Sequence, residues 1–284
     1  MINPRKLKKK VSAYEKFRDI TKSIQLVALS NIAELKDTIA SRFLSITPFL
    51  VFFDVELYAE CKYMNCLVIP INIDKNCCGP HNSEIFKSTN NLIEYLEEKD
   101  NTVKLFTTGK KGRMYFINHY TGYLIKNIEK FNKDIGTLSI FSCSILGEKI
   151  IKLENDRNYI VFKRFINIFK QEPSCYEIVS YNEFLTLLVE SSSLVESIFH
   201  RVVLDNKDYS NYINDLYLFS LSILLMDSFE ENEYSSLGAR IVAMDSAKKN
   251  AGKLIDILTL AYNRARQEYI TTELNEIVSC ANFV

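Results

Sequence analysis

The C-terminal part of the chain repeats apolar positions in alternating steps of four and three. The repeat comprises Leu237, Ile241, Met244, Lys248, Ala251, Ile255, Leu258, Tyr262, Ala265 and Tyr269. A heptad pattern sustained this long is typical of a coiled-coil seam, because an ordinary helix has a period of about 3.6 residues and drifts out of such a register. The alternative is a long amphipathic helix packed on a globular body.

A second apolar stripe opens the chain and predicts another long helix. Pro4 suits a first helical turn, and Pro48 stops or kinks the pattern. Between them the stripe consists of Leu7, Val11, Tyr14, Phe17, Ile20, Ile24, Val27, Leu35 and Ile39. Two such helices at opposite ends of one chain are predicted to pair as an antiparallel coiled coil.

The middle of the chain alternates short apolar runs with helical patterns. Strands are predicted at 66–73, 103–107, 159–169 and 175–179, helices at 83–99 and 180–196, a turn at 109–112 and a hairpin connection at 171–174. The predicted fold class is therefore α/β, with long N- and C-terminal helices forming an antiparallel coiled coil and a central Rossmann-like α/β globular domain. The predicted domains are an N-terminal helix at 1–58, the α/β domain at 59–208 and a C-terminal helix at 209–284.

Charge and hydropathy exclude two function classes. The formal net charge is +0, which disfavours a general nucleic-acid binder that needs a basic surface. The longest apolar runs, 43–53 and 216–226, are far shorter than the roughly 18 to 20 residues of a membrane span. The N-terminus is basic and has no secretory hydrophobic region, so it is interpreted as the start of the first helix, with any transit peptide already absent.

No sequence motif makes a positive case for catalysis, a cofactor or a metal. The segment TTGKKGR at 107–113 lacks the GxxxxGK[ST] pattern of a phosphate loop, and no GxGxxG follows the first strand. The cysteines and histidine at Cys61, Cys66, Cys77, Cys78 and His81 do not have the paired spacing of a zinc site. The seven cysteines are expected to be reduced thiols. Two alternatives stay open: a small nucleotide-binding enzyme with a coiled coil for dimerisation, and a structural coiled-coil adaptor.

The C-terminal helix carries a long ordered set of short motifs. They are Ala239-Arg240, Ala243-Met244-Asp245, Lys249-Asn250-Ala251, Leu258-Thr259, Asn263-Arg264-Ala265-Arg266-Gln267, Ile270-Thr271, Glu273-Leu274 and Glu276-Ile277-Val278. This set resembles the C-terminal signature of F-type ATP synthase γ subunits.

The N-terminal half resembles the same family at two further places. Ile20-Thr21-Lys22-Ser23 followed by Val27-Ala28 is similar to the N-terminal helix motif, and the segment 74–82 (DKNCCGPHN) resembles the family's SDRGLCG-x-x-N turn. The turn departs from the family pattern, with Ile73 for Ser, Asn76 for Gly and Cys77 for Leu. No plastid-type insertion with a regulatory dithiol is present, so a redox switch is not expected.

The resemblance implies a rotating central shaft without catalytic residues of its own. The helix pair would stand inside a hexamer of alternating α and β subunits, and the globular domain would rest on the membrane ring of c subunits. The δ and ε subunits of the central stalk are further implied partners. Catalysis would belong to the β subunits, and the complex would lie on the matrix side of the mitochondrial inner membrane rather than in a bacterial membrane.

The resemblance also implies which residues serve the coupling. Arg266 and Gln267 match a pair that contacts a loop of β, and Arg240, Thr271 and Glu273 fall on positions tied to β contact. Lys22 and the basic residues at 5–10 would face acidic segments of β. The uncharged end of the helix would act as a bearing tip, with Ile277, Val278, Phe283 and Val284 as its members. For each residue the competing interpretation is a solvated helix surface or a frayed terminus.

Overall fold

A computed structural model describes the backbone of residues 4–53, 64–120, 122–128, 139–190 and 209–281. Side chains are described for residues 4–34, 64–120, 122–123, 139–185 and 212–281. The described helices are α1 (Pro4–Phe53), α2 (His81–Glu97), α3 (Gly109–His119), α4 (Ile140–Ile151), α5 (Tyr181–Glu190) and α6 (Tyr209–Ala281). The strands are β1 (Asn65–Pro70), β2 (Thr102–Thr108), β3 (Leu124–Ile128), β4 (Arg157–Phe165) and β5 (Gln171–Val179).

The five strands form one mixed sheet in the order β3-β2-β1-β4-β5. The pairs β1–β2, β2–β3 and β1–β4 are parallel, and β4–β5 is an antiparallel hairpin. β1 lies at the centre and is buried at all but its first residue, which its apolar sequence NCLVIP explains. Helices connect the parallel strands because a parallel pair needs a crossover longer than a tight turn.

Alternate residues of the strands supply two separate apolar cores, one on each face of the sheet. Leu67 and Ile69 of β1 point to the face covered by α4, α5 and the N-terminal part of α6, where Leu146, Phe184 and Tyr217 pack. Cys66 and Val68 point to the other face, packed against α2 and α3 through Ile85, Ile93, Leu96 and Phe116. The two-residue period of a strand therefore gives both faces a buried layer.

The chain forms two compact units, residues 34–239 and residues 1–33 with 240–284. The first unit contains the sheet and its helices. In the second unit α1 and α6 are antiparallel, because Gln25 bonds Asp245 and Lys248, while Arg5 lies near Tyr269. The predicted domain boundaries at 58/59 and 208/209 fall outside the described residues and stay predictions.

The predicted seam of α6 is confirmed over most of its length. Six of its members are buried: Leu237, Ile241, Met244, Ala251, Ile255 and Ala265. Lys248, Leu258 and Tyr262 are partly buried, and Tyr269 is 50% exposed.

The predicted stripe of α1 is partly wrong. Phe17, Ile20 and Val27 are 47%, 57% and 60% exposed, whereas Thr21 and Ala28 are buried. The seam of α1 keeps a strict heptad spacing from Leu7 through the polar and small residues Thr21, Gln25 and Ala28. A prediction based only on large apolar residues therefore departs from the observed seam after Tyr14.

Two local predictions in the sheet unit need correction. The predicted turn at 109–112 is the first turn of α3, because the Asp74 carboxylate accepts hydrogen bonds from the Lys110 and Lys111 amides and caps the helix there. The predicted hairpin connection at 171–174 is part of β5. The turn comes earlier, where Asn167 Oδ1 accepts bonds from the Phe169 and Lys170 amides. Residues 191–196 of the predicted helix lie outside the described residues.

Candidate subunit interface

Four of the predicted coupling residues lie near the end of α6 and are exposed. Arg266, Gln267, Thr271 and Glu273 follow the last buried seam residue, Ala265. In heptad terms Arg266 and Glu273 flank the seam, while Gln267 and Thr271 lie on the outward surface. The Thr271 hydroxyl donates to the Gln267 carbonyl oxygen at 2.9 Å, as a threonine within a helix commonly does.

This outward surface forms an open depression rather than a closed pocket. It has a volume of about 430 Å³ and is lined by Arg264, Gln267, Glu268, Thr271 and Thr272. Its lining presents donors and acceptors from one helix face. Such a surface suits contact with another protein chain better than enclosure of a small ligand, which a concave site would largely bury.

Glu273 is engaged within its own helix. Its carboxylate accepts a hydrogen bond from the Tyr269 hydroxyl, and this bond and the carboxylate charge raise the pKa of Tyr269. The two residues are four apart, the spacing that brings side chains together on a helix. Glu273 therefore offers a partner a carboxylate whose position is already restrained.

The two remaining residues that were predicted to serve the coupling, Lys22 and Arg240, have different surroundings. Lys22 is exposed on α1, as are the basic residues Arg5, Lys6, Lys8, Lys9 and Lys10. Arg240 is partly buried, and it lies next to the buried seam residue Ile241. Arg240 is therefore less accessible to solvent than Lys22 and the other exposed positions.

The predicted bearing tip is exposed where the structure describes it. Ile277 and Val278 are 64% and 57% exposed. Phe283 and Val284 lie outside the described residues. Exposed residues of this size at the end of a helix leave apolar surface in water unless another chain covers it.

Further large apolar residues on the helix pair are exposed, and the sequence pattern did not single them out as a contact surface. On α1 they include Leu26 and Leu29, and on α6 they include Leu254, Ile257, Leu260, Ile270 and Leu274. Their signal in the sequence is the presence of leucine and isoleucine at heptad positions outside the seam. An isolated helix pair would carry polar residues there.

Comparison with known proteins identifies the family. The sequence model of the family described as "ATP synthase" matches residues 3–284. The ATP synthase gamma chain of Gluconacetobacter diazotrophicus is 31% identical over 223 residues, covering 77% of this chain and 73% of the relative. The chain belongs to the ATP synthase γ-chain family.

A second relative extends over nearly the whole of this γ-family chain. The mitochondrial ATP synthase subunit gamma of Arabidopsis thaliana is 26% identical over 282 residues, covering 99% of this chain and 85% of the relative. The similarity therefore includes the middle of the chain as well as its two ends.

Solved structures share the fold of this γ-family chain. A chain of the Euglena gracilis mitochondrial ATP synthase (OSCP/F1/c-ring, rotational state 3) matches with a TM-score of 0.78 at 22% identity, covering 98% of this chain and 93% of that one. A chain of the Tetrahymena thermophila mitochondrial ATP synthase (central stalk and c-ring) matches with a TM-score of 0.60 at 18% identity, covering 80% and 99%. The long terminal helices and central α/β domain predicted from the sequence are thus confirmed.

In the phosphate-loop-like segment 107–113 of this γ-family chain, the backbone amides at the start of α3 bond a carboxylate of the protein itself. Asp74 Oδ2 and Oδ1 accept from the Lys110 and Lys111 amides, each at 3.1 Å. Helix N-terminal amides are the groups that bind phosphate in nucleotide sites. Here the Asp74 carboxylate occupies them, and a Cβ on Gly109 would approach its oxygen to 2.9 Å. Lys111 Nζ adds bonds to the Lys75 carbonyl oxygen and to Asn76 Oδ1, each at 3.0 Å, and holds the same loop.

The cysteine and histidine cluster does not assemble in the described part of the chain. Cys66 and Cys78 are buried and Cys77 is exposed, while Cys61 lies outside the described residues. His81 is buried, and Nε2 lies 3.0 Å from Asn232 Oδ1. Burial, and secondarily the charge of Lys163, lower the pKa of His81 to about 4, so its ring is neutral at pH 7. Among the described residues no group of histidine, cysteine and carboxylate side chains could hold a metal ion.

Within the described ranges, no helix combines the length and the apolar character that crossing a bilayer requires.

Proposed function

We propose that the chain is the central rotor shaft of an F1Fo ATP synthase and a non-catalytic subunit of that complex. The observation that carries this proposal is the helix pair of a γ-family chain, whose seam is buried while leucine and isoleucine residues outside the seam are exposed. Such a surface requires a surrounding protein. The α and β subunits of the hexamer supply it in this proposal, and catalysis lies on β.

The shaft acts through differential binding. Its surface is asymmetric around the helix pair, so three chemically identical β subunits meet different side chains at any moment. A ligand shifts a conformational equilibrium only by its difference in affinity for the two states. Turning the shaft moves that difference from one β subunit to the next and couples c-ring rotation to ATP synthesis.

The coupling contacts are proposed at the exposed polar residues of α6 and α1. Arg266, Gln267, Thr271 and Glu273 contact β loops, Arg240 serves the same contact, and Lys22 faces acidic segments of β. The tip formed by Ile277, Val278, Phe283 and Val284 turns in an apolar bearing. An uncharged tip avoids strong charge pairs that would hold the shaft at one angle.

The location of the complex is proposed as the matrix side of the mitochondrial inner membrane. The mitochondrial relative of Arabidopsis thaliana covers 99% of this chain, whereas the Gluconacetobacter diazotrophicus relative covers 77%. The central-stalk δ and ε subunits and the c-ring complete the proposed set of partners.

Substitution of Arg266→Ala together with Gln267→Ala tests the coupling role. Both side chains are exposed, so the isolated chain keeps its stability. We expect ATP synthesis by energised membranes to fall several-fold while the amount of assembled complex is unchanged. Lys87→Ala with Glu98→Ala, two exposed residues at α2, is the matched control and leaves synthesis unchanged. Unaltered synthesis in the Arg266 and Gln267 variant would remove these residues from the mechanism.

An ATP titration of the isolated chain tests the enzymatic alternative. Because Asp74 occupies the amides of α3, no saturable binding is expected at millimolar ATP. Saturable binding with hydrolysis by the isolated chain would contradict the proposed function.

A further inference from the structure

Helix α6 bonds to the sheet through a row of polar side chains in its middle. Asp227, Glu231, Asn232 and Ser235 lie at spacings that place them on neighbouring turns of one helix. Each bonds a group outside α6, beginning with Asp227 Oδ2, which accepts from the Tyr176 hydroxyl of β5 at 2.7 Å. The other three bond to the strands beside it, and Asn232, Ser235 and the sheet groups they meet are buried.

Asn232 bonds three different parts of the sheet unit. Its Nδ2 donates to the Ile71 carbonyl oxygen just after β1 at 2.9 Å. Its Oδ1 accepts from the Lys163 amide of β4 at 3.2 Å and lies 3.0 Å from His81 Nε2 at the start of α2. One side chain of α6 therefore fixes positions on β1, β4 and α2 at once.

Glu231 and Ser235 continue the contact along β4. Glu231 Oε2 accepts from the Phe165 amide at 2.6 Å, and the Ser235 hydroxyl donates to the Lys163 carbonyl oxygen at 2.8 Å. Both backbone groups of Lys163 are therefore bonded to side chains of α6.

These bonds take the place of strand pairing at the end of β4, which extends beyond the end of β1. β1 pairs with β4 as far as Pro70 opposite Val161, and the Ile71 amide gives a last bond to the Val161 carbonyl oxygen at 2.9 Å. Beyond that point the β1-facing groups of Lys163 and Phe165 would have no strand to bond. Buried backbone groups need partners, and Glu231, Asn232 and Ser235 provide them in place of the backbone.

The polar side chains Glu231, Asn232 and Ser235 fix the rotation and the position of α6 along the sheet, which apolar packing alone does not determine. Burial of apolar surface is non-directional, so a helix packed only through leucines can rotate or slide between similar arrangements. Hydrogen bonds require narrow distances and angles, and a buried asparagine can specify the register of a helix. Rotation of α6 by a fraction of a turn would break the bonds to both backbone groups of Lys163, to the Phe165 amide and to the Ile71 carbonyl oxygen.

We infer that Glu231, Asn232 and Ser235 form a torsional lock that fixes the angle of α6 on the sheet and carries torque between them. This inference rests on the proposed function, since torque passes through the chain only in a rotor. The same helix α6 supplies residues 209–239 to the sheet unit and residues 240–281 to the helix pair. Helix α6 is therefore a continuous path along which force applied to the sheet can enter the shaft.

The chain offers a close control for this role. Ser235 and Ser236 are adjacent and both are fully buried. The Ser236 hydroxyl donates within α6, to the Glu233 carbonyl oxygen at 2.7 Å, whereas that of Ser235 crosses to β4. Removing either hydroxyl deletes one buried bond, but only Ser235→Ala deletes a bond of the lock.

The first readout is hydrogen exchange in the isolated full-length chain. Asn232→Ala is expected to speed exchange of the Lys163 amide at least tenfold, because that amide loses its acceptor. Ser236→Ala is expected to leave it unchanged. Equal exchange rates in both variants would show that the lock does not hold β4, and would overturn the inference.

The second readout is coupling in the assembled ATP synthase in membrane vesicles. The ratio of ATP-driven proton pumping to ATP hydrolysis is expected to fall about twofold or more in Asn232→Ala/Ser235→Ala as the opposing proton gradient grows. Ser228→Ala/Ser236→Ala, which removes two hydroxyl bonds within α6, keeps the ratio of the natural chain. Where the double variant fails to assemble, Ser235→Ala alone decides by the same comparison with Ser236→Ala.

Failure of the inference and of the proposed function give different results. Faster exchange with an unchanged pumping ratio under load overturns the torsional lock and leaves the rotor intact. Absence of the natural chain from any proton-pumping ATPase overturns the proposed function before the variants are compared.

Discussion

The two units of the molecule differ in which side chains they bury and which they expose. In residues 34–239 the sheet buries apolar layers on both faces, and polar groups such as Asn232 and Lys163 bond across elements. In the helix pair the seam is buried, yet Phe17, Ile257 and Ile277 are 47%, 61% and 64% exposed. The sheet unit thus has two apolar cores of its own, although Met114, Phe141 and Phe169 on its surface are 69%, 72% and 86% exposed. The helix pair buries a single seam and exposes apolar residues along the rest of its described surface.

The difference extends to the kind of residue in each interior. The seam of the helix pair combines large residues such as Ile241 and Ile255 with small or polar ones, among them Thr21, Ala28, Ala251 and Ala265, which allow close approach of the two helices. The interior of the sheet unit uses large residues such as Phe106, Phe162 and Tyr217. A thin stiff pair suits rotation inside a sleeve, whereas a large core suits a body that receives force.

The largest expected effect is the difference in stability between two phenylalanine substitutions, one in each unit. Phe106→Ala removes a fully buried ring from the core and is expected to lower the free energy of unfolding by about 3 to 5 kcal/mol. Phe17→Ala removes a ring that is 47% exposed and is expected to change it by at most about 0.5 kcal/mol. Urea unfolding of the isolated chain, followed by circular dichroism, measures both. Equal losses would show that the helix pair is as self-sufficient as the sheet unit.

The next effect is the pH dependence that His81 gives to the sheet unit. The folded chain holds His81 with a pKa of about 4, against an ordinary value of 6.5, so the unfolded chain binds more protons between these values. The contribution of neutral His81 to the free energy of unfolding is therefore fully present above about pH 6.5. It is lost as the pH falls towards 4, by at most about 3 kcal/mol.

Unfolding curves between pH 7 and 4.5 measure this slope in the natural chain and in His81→Gln. The substitution is expected to flatten the dependence on pH, since the glutamine amide can donate to Asn232 Oδ1 in place of the imidazole but does not titrate. A slope that persists unchanged in His81→Gln would assign the effect to other groups.

The smallest effect compares two glycines of α6, one in each unit. A Cβ at Gly238 would lie 3.0 Å from Gln171 Nε2, 3.1 Å from the Phe165 ring and 3.3 Å from the Ile168 carbonyl oxygen. Gly238→Ala is therefore expected to destabilise the chain by about 1 to 2 kcal/mol. A Cβ at Gly252 would meet nothing within 4 Å, so Gly252→Ala is expected to stabilise it by about 0.5 to 1 kcal/mol. Thermal unfolding measures both, and a stabilising Gly238→Ala would contradict the close packing of the hairpin on α6.

The sequence predicts best where one local period decides the structure. The heptad spacing from Leu237 to Ala265 needs no distant partner to be recognised, and its buried members are those that the spacing indicates. On α1 the same rule was only partly right after Tyr14, because Thr21 and Gln25 are polar and the neighbouring Ile20 and Leu26 are exposed, while Ile24 is partly buried. The identity of a seam residue there depends on its neighbour across the pair, which local hydrophobicity does not record.

Contacts between distant segments could not be predicted. The start of α3 depends on Asp74, far back along the chain, and the role of Asn232 depends on Ile71, His81 and Lys163. A polar residue inside an apolar helical pattern suggests a buried bond but does not identify its partner. Arg266 and Gln267 are proposed as coupling residues only through the family motif, since their exposure alone matches any solvated helix surface.

The measurement that tests the rotor function most directly is a native gel of host membranes with mass spectrometry of the band that contains this chain. The rotor function predicts a large ATP-hydrolysing complex in which α and β are each present at about three copies per copy of this chain. Recovery of the chain alone, or as a small homodimer without α and β, would contradict it.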